Sequence, residues 1–94
     1  MTASQAVFRL PQQIDLTTVQ SVLAAALAAL AAGQTVFDFS AVRQMDSTAL
    51  ALVLACDRAA FAQGIPFHCQ GVPDNLLSLA RLYGVEAFVS VEGV

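Results

Sequence analysis

Lysine and tryptophan are absent from this 94-residue chain, which has a single histidine, a single tyrosine and three prolines. Charged residues amount to 12%, against about 25% in an ordinary soluble domain. Four arginines face seven acids, so the net charge is −3 and the pI is near 4.6. Nothing resembles the basic stripe that neutralises phosphates, which excludes nucleic acid as a partner. An acidic chain is also repelled by anionic lipid headgroups, so direct docking on or insertion into a membrane is not expected. No basic segment followed by an apolar one reads as a signal peptide.

The chemistry-bearing residues are equally sparse. Cys56 and Cys69 form no CxxC pair and fall far short of a disulfide scaffold. They read as small buried apolar residues. One imidazole cannot complete a Cys/His zinc site. His68 and Cys69 are neighbours on a predicted strand and therefore face opposite ways. No GxxxxGKS or GxGxxG phosphate cradle occurs. The chain is expected to be no enzyme and to take no cofactor and no metal.

What the sequence does have is apolar bulk: 57% hydrophobic residues and a mean hydropathy of +0.69. That rules out disorder, and the length fits one domain, residues 1–94. The longest uninterrupted apolar run, 22–32, is mostly alanine and half of what a bilayer span requires, about 20 residues.

Along the chain, Ala6 to Leu10 reads as a strand ended by Pro11, and Ile14 as a second short strand or a turn. Leu16, Val19, Leu23, Ala26, Leu27 and Leu30 follow helical spacing, with Asp15 or Thr17 as cap and Gly33 as terminator. Thr35 to Phe39 is a strand, residues 40–45 a connecting loop, and Asp46-Ser47-Thr48 opens a helix to about Gln63, closed by Gly64. The stretch from Ala49 to Cys56 is apolar all round, as in a helix buried between layers. Pro66 to Gln70 predicts a strand, Pro73-Asp74 opens another helix to Tyr83-Gly84, and Val85 to Val91 reads as a last strand or extended tail. No internal repeat is evident. Alternating strands and helices predict an α/β domain with a four- to five-stranded, mostly parallel sheet and helices mainly on one face.

The informative segment is DFSAVRQMDSTAL, residues 38–50. A strand, a short loop and then Asp-Ser at a helix start place a hydroxyl where backbone N–H groups and the helix dipole favour an acceptor or a phosphate. The segment resembles the signature of STAS domains, the fold of bacterial anti-sigma factor antagonists. By that resemblance Ser47 takes the position of the phosphorylatable residue, Asp46 the acid before it, and Asp38 and Ser40 the strand end below. Ala49 stands where the family usually has Gly, adding a methyl group that would crowd the helix start.

The C-terminal half, with QGVPD at 70–74 and LARLYGV at 79–85, is similar to one branch of that family. This is the small MlaB-type STAS subunit of the lipid-asymmetry ABC transporter. The resemblance implies a cytoplasmic, non-enzymatic subunit that binds the transporter's ATPase, supports its assembly and activity, and is held at the inner membrane by that complex. The alternative is an anti-sigma factor antagonist switched by an anti-sigma factor kinase at Ser47. In either case Ser47, Asp46, Thr48, Ala51 and Arg43 are the expected partner-binding or phosphorylation residues. Arg58 and Arg81 are further candidate rim contacts, and Tyr83 reads as an aromatic capping the core.

Overall fold

A computed structural model describes Val7–Glu86 of the chain. Five strands and three helices follow one another: β1 (Val7–Arg9), β2 (Gln13–Ile14), α1 (Val19–Ala31), β3 (Val36–Asp38), β4 (Gln44–Met45), α2 (Thr48–Gln63), β5 (His68–Gln70) and α3 (Asp74–Leu82). All strand pairings are parallel, in a three-stranded sheet of order β1-β3-β5 and a two-stranded ladder of β2 with β4. The expected α/β architecture is present, its five strands divided three and two. Both crossovers step the same way across the sheet, and right-handed connections then place α1 and α2 on one face. The last expected strand, Val85 to Val91, lies mostly outside the described residues.

Alternation along the strands builds the core. Phe8, Phe37 and Cys69 are partners across β1, β3 and β5, and Phe37 and Cys69 are fully buried. Phe37 meets the Phe8 ring at 5.1 Å and the Phe67 ring edge-on at 4.9 Å, a geometry that aromatic quadrupoles favour. Val22, Ala26 and Leu30 of α1 and Leu52, Val53, Cys56 and Ala60 of α2 close over this layer. Alanine at contact positions allows α1 and α2 to approach closely. Helix α2 also touches α3, but its apolar stretch is not buried all round as expected, since Ala51 is exposed and Leu54 and Ala55 are half-buried. Its end is sharp: Gly64 adopts φ +68 and the Ile65 N–H reaches back to the Ala60 carbonyl, 2.9 Å.

Three details differ from expectation. Leu16 stands outside α1 and is 78% exposed, because the chain at 15–18 is a lead-in turn whose second residue projects outward. Residues 40–45 are not all loop, since Gln44–Met45 pairs with Gln13–Ile14. Tyr83 is 62% exposed and does not cap the core; it follows the end of α3, beyond the turns that pack.

The two ladders are one strand pair interrupted by a bulge. Arg9 faces Asp38 and Gln13 faces Gln44, so the second strand holds two more residues than the first in between. Asp38 builds that bulge: it is buried, and its Oδ1 accepts the Ser40 N–H at 2.9 Å. Gly71 lies against the same turn. A Cβ there would sit 3.1 Å from Ser40 Cβ and backbone N and 3.2 Å from Asp38 Oδ1, at φ +66.

Candidate functional site

Past the bulge, β2 and β4 run side by side and each delivers its chain to a helix start. The two local sequences are near copies, QIDLT at 13–17 and QMDST at 44–48, aligned Gln13 to Gln44 and Ile14 to Met45. This short repeat escapes a reading of the sequence alone, because five residues carry little signal until the ladder sets them in register.

The aspartates perform the same task twice. Asp15 Oδ1 accepts the Thr17 N–H at 2.9 Å and the Thr17 hydroxyl at 2.6 Å, while Thr18 Oγ1 accepts the Asp15 N–H at 3.0 Å. This reciprocal arrangement has the form of a capping box, but it closes the turn before α1. The N-cap of α1 is Thr18, with no side-chain cap, rather than Asp15 or Thr17 as expected. Asp46 Oδ1 accepts the Thr48 N–H at 2.8 Å and also the Thr48 hydroxyl. The other oxygen of Asp46 crosses to the first helix start and accepts the Leu16 N–H at 3.2 Å. Hydrogen bonds from the Thr17 side chain, then Gln13, hold the Asp15 carboxyl below the usual carboxylate range. Thr48, through side chain and then backbone, does the same for Asp46, helped by the Leu16 N–H and opposed by desolvation and, last, by the Asp15 charge. Both are therefore ionised at neutral pH.

Each aspartate is followed by an exposed residue just before the helix: Leu16, in the turn that leads into α1, and Ser47, the N-cap of α2. Ser47 has helical φ −64 and ψ −13, and its carbonyl accepts from Leu50 and Ala51 at 3.1 and 3.3 Å. Its hydroxyl has no hydrogen-bond partner among the described residues, whereas Thr17 and Thr48 spend theirs on the caps. Ala51, one turn on from Ser47, is exposed on the same helix face. Thr48 is half-buried. Arg43 is exposed on the bulge before β4, its N–H donating to the Gln12 carbonyl at 2.7 Å. Ala49 does not crowd this surface: its methyl points inward and is fully buried in the core.

Sequence reasoning therefore brings Ser47, Asp46, Thr48 and Ala51 to one helix start, with Arg43 on the loop leading in. It misses Leu16, whose helical spacing with Val19 disguises it as a core residue. Asp38 and Ser40 belong to the supporting bulge. The other arginines do not join this surface. Arg58 lines a cavity of about 480 Å³ with Leu54, Asp57, Phe61 and Val85. Phe61 is roughly 20 Å from Ser47 along α2. Arg81 is paired with Glu86 at 3.0 Å.

Groups with nucleophilic or ligating chemistry are dispersed. His68 is exposed while Cys69, next to it, is fully buried, as strand alternation requires. Burial pushes the Cys56 thiol up to about 11 and the Cys69 thiol up to about 12. Among the described residues no group of three His, Cys, Asp or Glu side chains is placed to hold a metal ion. Among the same residues no helix is long and apolar enough to cross a membrane.

A hydroxyl presented on a capped helix start, reached through a bulged parallel strand pair, is the architecture of a STAS-type protein-interaction domain. The family model described as Mlab, STAS domain, matches residues 1–90, and the chain belongs to this family. A comparison with curated proteins returns no match.

Proposed function

We propose that this chain is a non-enzymatic STAS subunit that binds the ATPase of a phospholipid ABC transporter and supports its assembly and activity. It would be cytoplasmic, held at the inner membrane only through that complex. One observation carries the site: Ser47 is exposed at the start of α2 with no partner for its hydroxyl among the described residues, next to an ionised Asp46. Such a group is available to a partner surface without any rearrangement of the fold. The Mlab description of the matching family and the QGVPD and LARLYGV runs favour the transporter partner. The acidic surface suits attachment to protein rather than to lipid.

Titration of the purified ATPase subunit with the full chain tests this reading. Saturable binding that Ser47→Arg abolishes supports it, and no binding by the unmodified chain refutes it. The same unpartnered hydroxyl also favours a second reading, an anti-sigma factor antagonist phosphorylated at Ser47. Phosphate transfer to Ser47 by a partner kinase, without ATPase binding, would establish that alternative.

A further inference from the structure

We propose that Leu16 is the apolar anchor of the Ser47 docking surface, and that the partner's matching patch is an apolar socket bordered by arginine or lysine. This inference rests on the reading above and specifies the chemistry of the partner. Leu16 is 78% exposed, yet its backbone N–H and those of both neighbours are hydrogen-bonded. Its own N–H is bound by Asp46. The peptides around it are fixed by Thr17 and Thr18 in the Asp15 capping box. A large apolar side chain on so constrained a backbone loses little conformational freedom when a partner covers it, which is what an anchor requires.

The position also follows from the ladder. Leu16 and Ser47 are equivalent residues of the two aligned segments, and the Asp46 carboxylate bridges the backbone N–H of Leu16 and that of Thr48, the residue after Ser47. A surface that reaches the Ser47 hydroxyl therefore meets Leu16. The border of this patch is acidic, with Asp15 and Asp46 both ionised and Arg43 the cation on the loop leading in. That charge selects a cationic rim on the partner. It also disfavours a second copy of this chain, since two-fold docking through this face would set the same aspartates against each other.

The test is titration of the transporter's purified ATPase subunit with the full chain and with Leu16→Ala, Leu16→Asp and Ser47→Arg, at low and high salt. Leu16→Ala is expected to weaken binding about 10- to 100-fold, and Leu16→Asp to abolish it. Added salt should weaken binding of the unmodified chain. Melting curves should not move, because the side chain is outside the core. If both Leu16 variants bind like the unmodified chain while Ser47→Arg does not, the anchor is overturned and the functional reading stands. If the unmodified chain fails to bind, both fall. A dimer in gel filtration that Leu16→Asp dissociates would make a second copy the occupant and overturn the cationic socket.

Discussion

The carboxylate of Asp46 accepts the backbone N–H of Leu16 across 30 residues of chain, at 3.2 Å, while capping its own helix through Thr48. One side chain thus ties the starts of α1 and α2. Its removal should be felt by both helices. Asp46→Ala is expected to lower the urea midpoint without changing the slope of the transition, and Asp46→Asn to do so less, since its amide oxygen still accepts. An unchanged midpoint for Asp46→Ala would show that the bridge contributes nothing to stability.

Ser47 should behave in the opposite way, silent in folding and decisive in binding. Ser47→Ala removes at most one neutral hydrogen bond to a partner, roughly 0.5–1.5 kcal/mol. Ser47→Asp or Ser47→Arg places an unpaired charge or excess volume in the contact and should weaken binding far more. Melting curves of all three should match the unmodified chain. Equal affinities across the series would leave Ser47 as a helix-start residue and nothing else.

Gly71 is the position where a methyl group does most harm for its size. Gly71→Ala must tolerate a left-handed backbone, about 1–2 kcal/mol, and also push against Ser40 and Asp38. Chemical denaturation should show a loss at least that large. A neutral result would mean that the bulge yields freely.

The cysteines should be inert while the protein is folded. With the thiols pushed up to about 11 and 12, the thiolate is scarce at neutral pH. A thiol reagent such as Ellman's should label neither in native buffer and both in denaturant. Rapid labelling of Cys69 in the native protein would contradict its complete burial.

Asp38 gives the fold a dependence on acid. Burial works to raise its pKa, but the Ser40 backbone and hydroxyl and the Arg9 guanidinium outweigh it, and the net shift is downward. A carboxyl lowered in the folded state contributes stability that is present above its unfolded pKa, about 3.9, and is lost as pH falls through the folded value. Denaturation midpoints should therefore fall below about pH 4, and less steeply in Asp38→Asn. Identical pH profiles for the two proteins would remove Asp38 from this account.

The helix periodicity, the strand composition and the DFSAVRQMDSTAL segment make the α/β order and the location of Ser47 legible before any coordinates. Two things are not. Gln44–Met45 is too short to alternate, so its pairing with Gln13–Ile14 exists only through register. Leu16 satisfies the 3.6-residue spacing, but spacing does not tell a helix face from the turn that precedes it. That choice is made by Asp15 and Asp46, which bind the backbone on either side and turn the side chain outward.

The doubled Asp-x-Thr start separates two demands that most interfaces mix. The aspartates and threonines spend their polar groups inward on the helix ends, and the residue between them is excused from holding the fold together. Positions 16 and 47 are thus a pair of interchangeable fittings on a fixed frame. On the proposed docking, a descendant of this chain would change its partner at these two residues while its core, sheet and caps stay as they are.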